Sequence, residues 1–121
     1  MSDRFKFRIY SFLEKSFYFF SIGDGEDGYP QGLAGGVSEI QQYTGLTDSN
    51  DNPIYEGDIL KISYDAIGDV IGQVLYEADH GGYIFQWERK GPNQHHIYLN
   101  CDVAFESVIV GNIFEHSELL K

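Results

Sequence analysis

The chain has 121 residues, of which 42% are hydrophobic, enough for one domain with a single hydrophobic core. Its formal net charge is −11, from 19 acidic and 8 basic side chains. A negative field of this size repels phosphate backbones and anionic lipid headgroups, so the composition argues against direct binding of nucleic acid or membranes.

The first 22 residues are predicted to form a β-hairpin. From Phe5 onward, apolar side chains alternate with Lys6, Arg8 and Tyr10, the period-2 pattern of a strand with one side on a core and the other in water. A second, aromatic run follows at Ser16 to Ile22, after a loop of hairpin length. A two-stranded ribbon is marginal by itself. Its aromatic side chains therefore need cover, either from a neighbouring copy in a homo-oligomer or from the chain's own domain.

Residues 23–36 are predicted to be a flexible loop, because they contain six glycines and three acidic residues but few apolar anchors. Gly23 to Gly28 satisfy the G-x-G-x-x-G pattern of dinucleotide sites, in which backbone N–H groups meet a pyrophosphate. Here the carboxylates would repel the phosphate and no helical pattern follows, so no nucleotide site is predicted. The same carboxylates are suited at most to a weak calcium site.

A chain reversal is predicted at residues 47–53, a dense cluster of residues whose side chains can bond their own backbone. The spacing of acid and amide side chains from Asp48 onward also matches the opening ligands of an EF-hand calcium loop. That match fails at Pro53, where the loop needs glycine, and at Ile59, where it needs a bidentate glutamate. The sequence therefore predicts a turn there.

Residues 37–121 are predicted to form a β-barrel core. Five short strands bounded by turn residues follow Ile54: Ile59 to Tyr64, Val70 to Tyr76, Tyr83 to Glu88, His96 to Asn100 and Val108 to Phe114. Such strands favour a small, nearly closed barrel of SH3-like or related type, because closure removes exposed edges. A short helical turn is predicted at Ser117 to Leu120. The expected fold class is therefore mainly β, with an N-terminal hairpin and a C-terminal helical turn.

Three of the four histidines, His80, His95 and His96, precede the single cysteine, Cys101, in the sequence. Adjacent strand residues point to opposite faces, so His95 and His96 are poorly placed to share a zinc ion, and the spacing fits no known zinc finger. A lone cysteine is more often a small buried hydrophobe than a nucleophile. We therefore predict no metal, no cofactor and no catalytic residue.

The segment Gln42 to Asp48, followed by Pro53 to Leu60, resembles the signature of the YopX family, whose members are found in phages and prophages of bacteria. Shorter stretches are similar to the same family: Phe5 to Arg8, Gly72 to Val74, and Val110 to Glu115 with Glu118 to Leu120. The resemblance covers nearly the whole chain, so residues 1–121 are expected to form one YopX-like domain. It implies a phage or prophage origin, a β-rich fold and self-association, and it carries over no catalytic residues.

Six residues of this signature form the candidate structural or binding site: Tyr43, Gly45, Tyr55, Glu56, Gly57 and Asp58. The glycines can supply positive φ, Asp58 can accept backbone N–H groups, and the tyrosines can pack as a pair. Glu56 is expected to be a solvated charge. The same residues are alternatively a binding surface. Glu56 and Asp58 would act as a glycosidase-like pair only if the fold placed a cleft between them.

We expect a non-enzymatic phage or prophage accessory protein that serves as an acidic protein-binding module. One cysteine and no recognisable signal peptide indicate a reducing, cytosolic location, and the resemblance implies that this is the cytoplasm of a bacterial host. The expected partners are further copies of the chain and a basic host or phage protein. The alternatives are a structural homo-oligomer without a ligand, and a small carboxylate- or metal-dependent hydrolase. The negative charge could also serve solubility alone.

Overall fold

A computed structural model describes residues 6–21, 36–64, 68–88 and 94–120. In this part of the chain the elements are β1 (Lys6–Ser11), β2 (Ser16–Ser21), β3 (Gln41–Thr47), β4 (Pro53–Tyr55), β5 (Asp58–Tyr64), β6 (Gly68–Glu77), β7 (Gly82–Glu88), β8 (Gln94–Tyr98), α1 (Cys101–Phe105), β9 (Ser107–Asn112) and a 3-10 helix (Ser117–Leu120). The predicted mainly β class is confirmed. The strands make two antiparallel sheets, ordered β2-β1-β3-β4 and β8-β7-β6-β5-β9.

The predicted N-terminal hairpin is present as β1 and β2, in register from Lys6 opposite Ser21 to Ser11 opposite Ser16. The expectation that Arg8 and Tyr10 lie on a water-facing side of β1 is wrong, because both are buried. Arg8 pairs with Asp58 of β5 and the ring of Tyr10 stacks on that of Phe114, so this face of β1 is covered by other parts of the chain. The alternation in its sequence therefore does not mark an exposed face.

The five-stranded sheet curls into a half-barrel, where the sequence predicted a small, nearly closed barrel. The main core comprises residues of this sheet together with Ile54 of β4 and residues in and before α1: Ile54, Leu60, Ile62, Val70, Val74, Phe85, Leu99 and Ala104. Gly72 of β6 lies so close to β7 that an added Cβ would overlap the carbonyl oxygen of Gln86. This close approach explains a glycine in the middle of a strand.

The predicted reversal at residues 47–53 is confirmed, and Asp48 organises it. One carboxylate oxygen of Asp48 accepts the N–H groups of Asn50 and Asn52, at 3.0 and 2.9 Å, and the other accepts that of Ile109 at 3.0 Å. The side chain is 2% exposed. Its carboxylate is therefore committed to backbone donors on the turn and on β9, as expected of a turn residue.

Helix α1 is an element that the sequence patterns did not predict. It begins after Asn100, whose side chain accepts the N–H of Val103 at 2.9 Å, and it places Ala104 in the core. The strand expected to run to Asn100 ends at Tyr98. The predicted helical turn at Ser117 to Leu120 is confirmed as the 3-10 helix. The predicted flexible loop lies, except for Gly36, outside the described residues, as do its nucleotide and calcium motifs.

Candidate functional site at the junction of the two sheets

The signature residues lie where the chain passes from the four-stranded sheet into the half-barrel. Glu56 and Gly57 form the connection between β4 and β5, and Gly57 adopts a φ of 83°. Its N–H donates to the carbonyl of Val74 and its carbonyl accepts the N–H of Ile113, each at 2.9 Å. A Cβ at this position would overlap the side chain of Gln41. The positive φ predicted for Gly57 is present, and a larger residue here would meet both a conformational and a steric cost.

Asp58 is held by a residue that sequence reasoning did not assign to the site. Its Oδ1 lies 2.9 Å from Nη2 of Arg8 in β1, and its Oδ2 accepts the N–H of Tyr55 at 2.8 Å, as predicted for a turn-capping acid. Arg8 also donates to Oε1 of Gln41 at 2.8 Å and to the carbonyl of Glu56 at 2.9 Å. One buried guanidinium thereby joins the hairpin, β3 and the β4–β5 connection.

The electrostatics of this pair are dominated by removal from water. Burial raises the pKa of Asp58, and the neighbouring Arg8 opposes that rise. Burial likewise lowers the pKa of Arg8. The guanidinium carbon also lies 4.1 Å from the ring centre of Phe17 and 5.0 Å from that of Tyr55, which adds cation–π attraction. The Arg8–Asp58 pair is therefore a structural contact between the two sheets, in which the two charges neutralise each other.

Glu56 is more than the solvated charge that was expected. Its carboxylate accepts the N–H of Gln42 at 2.9 Å, and its own N–H donates to the carbonyl of Gln42 at 3.0 Å. The side chain of Gln42 in turn accepts the hydroxyl of Tyr83 at 3.0 Å. The pKa of Tyr83 is raised to about 12. Burial is the largest cause, and the charges of Glu56 and Tyr76 add to it.

The remaining signature residues support the shape of the four-stranded sheet. The rings of Tyr43 and Tyr55 lie 5.6 Å apart and both residues are 6% exposed, so the predicted aromatic pair is present. Gly45 has a φ of 87°, the positive value that was predicted. The β3–β4 pairing shifts register between Tyr43 and Thr47, and Gly45 lies within that irregularity.

Two cavities, a pocket and a groove, lie at the junction and have different lining residues. The pocket, of about 250 Å³, is lined by Arg8, Asp58, Phe19, Tyr55, Ile109 and Asn112, among others. The groove, of about 370 Å³, is lined mainly by apolar residues together with Glu39 and Glu56. Asp58 lines the pocket whereas Glu56 lines the groove. The two carboxylates therefore do not face a common cleft, and the arrangement of a glycosidase-like pair is not present.

Two of the histidines, His80 and His96, form a small exposed cluster. The rings of His80 and His96 lie 5.9 Å apart, and Nδ1 of His80 lies 3.0 Å from the hydroxyl of Tyr98. Cys101 is a free, exposed thiol at the start of α1, not the buried hydrophobe that was expected. Over the described ranges, no three histidine, cysteine, aspartate or glutamate side chains are grouped to hold a metal ion.

Comparisons with known proteins found a matching family and a protein of similar structure. The family model described as "YopX protein" matches residues 6–121. Protein EF1440 from Enterococcus faecalis, known from a crystal structure, is 21% identical, with a TM-score of 0.61 over 96% of this chain and 97% of that one. At this identity the likeness shows a shared fold and nothing further. No curated protein matches the sequence. Within the described residues, no helix has the length and apolar character needed to cross a bilayer.

Proposed function

The chain belongs to the YopX family, and we propose that it is a non-enzymatic accessory protein of a phage or prophage that binds a basic protein in the bacterial cytoplasm. The observation that carries this proposal is the charge of the exposed surface. Nine acidic residues of the described chain are exposed: Glu14, Glu39, Asp51, Asp69, Asp79, Asp102, Glu106, Glu115 and Glu118. The exposed basic residues of the same ranges are Lys6 and Lys15.

The arrangement of the remaining described cations strengthens this asymmetry. Arg8 is buried against Asp58, so its charge is neutralised inside the protein, and Lys61 is half-buried. A surface with this excess of carboxylates attracts basic proteins and accelerates their encounter. It repels the phosphates of nucleic acids. A basic host or phage protein is therefore the partner class that this surface favours.

Affinity capture from a bacterial host lysate, at low and at moderate salt, tests the proposal. We expect a basic partner that is retained at low salt and lost as salt rises, because salt screens the attraction between exposed charges. The triple variant Asp102→Asn, Glu106→Gln, Glu118→Gln should retain less partner, and Lys15→Gln should retain at least as much as the natural chain. A partner whose retention is indifferent to salt and to both variants would overturn electrostatic recognition.

A homo-oligomer is the second candidate, and the edge of the four-stranded sheet favours it. The hairpin packs on its own domain, since the rings of Tyr10 and Phe114 stack at 4.9 Å. However, β2 is the outer strand of its sheet and Phe19 on it is 61% exposed. Light scattering at micromolar concentration should show association that Phe19→Asp abolishes and that Leu13→Asp, at an exposed loop position, leaves intact. A natural chain that stays monomeric would end this candidate.

A further inference from the structure

The groove at the sheet junction combines an apolar floor with exposed apolar sides. Its floor includes Ile113 and the ring of Phe114, both of which are half-buried. Two side chains that line it lie largely in water, Phe12 at 50% and Ile40 at 49% exposure. A volume of about 370 Å³ is in the range of sites that take one or two large side chains. The groove therefore presents an apolar surface shaped for a ligand.

The charges along this groove have one sign. The carboxylates of Glu39 and Glu56 line it, and no lysine, arginine or histidine is among the described residues that do so. Glu56 already accepts the N–H of Gln42, which holds its carboxylate in place. Glu39 is exposed, so its carboxylate can meet an incoming cation. An anionic ligand would be repelled by both groups, whereas a cationic one gains from both.

We propose that this groove binds a segment of a basic protein in which an apolar side chain is followed by a lysine or arginine. The apolar side chain would pack between Phe12 and Ile40. The aliphatic stem of the cation would lie on Leu75, with its charge at Glu39, as long basic side chains do when they cover apolar surface. This inference rests on the proposed function and assigns its docking position, which lies beside the Glu56-Gly57 part of the signature.

Binding of two synthetic peptides by fluorescence anisotropy tests the assignment. The first has the sequence Gly-Ser-Leu-Lys-Leu-Lys-Ser-Gly, and the second carries norleucine in place of both lysines, which keeps the apolar stem and removes the charge. We expect the lysine peptide to bind more tightly, and its affinity to fall as salt rises. Equal binding of the two peptides would overturn recognition of a cation in the groove.

Two substitutions and a control locate the peptide. Glu39→Gln should weaken binding of the lysine peptide by about two- to fivefold, the range typical of an exposed ion pair. Ile40→Ser, tested as a separate single variant, should weaken binding by more than Glu39→Gln does. Asp102→Asn removes the same charge from α1, away from the groove, and should have the smaller effect. Because Glu39 and Ile40 are exposed, the two substitutions are expected to leave the fold intact, which thermal melts verify.

The outcomes separate this assignment from the proposed function. Equal weakening by Glu39→Gln and Asp102→Asn would overturn the groove and leave general electrostatic binding standing. Failure of the lysine peptide to bind, alongside salt-sensitive capture of a basic partner, would do the same. A third outcome is self-association that Ile40→Ser abolishes and that the peptide inhibits. It would identify a second copy of the chain as the occupant of the groove, and would also overturn the assignment. Absence of any salt-sensitive partner would instead remove the proposed function.

Discussion

Arg8 of the N-terminal hairpin and Asp58 of β5 form a buried ion pair with 2.9 Å between Nη2 and Oδ1. The pair connects the two sheets, since β1 belongs to one and β5 to the other. Each group makes a further hydrogen bond. Arg8 donates to the side chain of Gln41, and Asp58 accepts the N–H of Tyr55. The hairpin is thereby an integral part of the domain, with a charged contact at the centre of the signature.

Removing one member of this pair should destabilise the protein strongly. Arg8→Met leaves the Asp58 carboxylate buried without its counter-charge, and we expect a loss of about 3–5 kcal/mol in the free energy of unfolding. Urea unfolding measures it. In an Asp58→Asn background, where position 58 is neutral but still offers an acceptor to Tyr55, the same substitution should cost much less. Equal costs in the two backgrounds would mean that the charges are not coupled.

Gly57→Val should destabilise the fold more than Glu56→Ala. Valine at a φ of 83° is strained by roughly 1–3 kcal/mol, before its overlap with Gln41 is counted. Glu56→Ala removes the acceptor of the Gln42 N–H, a loss of about 0.5–1.5 kcal/mol. Thermal melts compare the two variants.

Gly81→Ala is the control for backbone strain alone, because Gly81 has a φ of 68° and nothing within 4 Å of an added Cβ. Gly57→Ala should exceed it by the cost of displacing the Gln41 side chain. If the two alanine variants melted alike, the steric part of the argument would fail.

Asp48→Ala should cost about 1–3 kcal/mol, because it deprives partly buried backbone N–H groups on the turn and on β9 of their acceptor. Asp79→Ala removes an equal charge from an exposed turn and should change stability by less than about 0.5 kcal/mol. Chemical unfolding of the two variants decides the matter. A similar small effect for both would show that charge, not the hydrogen bonds, sets the contribution of Asp48.

Stability should fall between about pH 10 and pH 12 through Tyr83. Its pKa of about 12 in the folded protein exceeds the ordinary value of 10.0, so over this window the unfolded chain releases a proton that the folded chain keeps. A proton bound more tightly by the folded state means that stability declines as the pH rises. Urea unfolding across this range should show a smaller decline for Tyr83→Phe. A phenol absorbance component that is lost in Tyr83→Phe yet titrates near pH 10 would contradict the prediction.

Local sequence determined those features whose causes are local. Alternating side chains and turn residues were sufficient to predict the strands from β5 onward, and Asp48 predicted its own turn because its bonds to Asn50 and Asn52 span few residues. The positive φ of Gly57 was likewise predicted, because glycine adopts such a conformation without steric cost. Helix α1 was missed because five residues are too few to show helical periodicity, which left the Asn100 cap as its sole signal.

Only the tertiary structure decided what surrounds each signature residue. Alternation in β1 placed Arg8 in water, but in the folded chain it is buried against Asp58 and the rings of Phe17 and Tyr55. The groove exists because Ile40, Leu75 and Phe114, far apart in sequence, meet where the two sheets join. Strand order and long-range pairing are set by the packing of the whole chain, which no local pattern encodes. Composition therefore determined the charge of this protein, while the fold decided which carboxylates are neutralised inside it, as Asp58 is, and which are exposed.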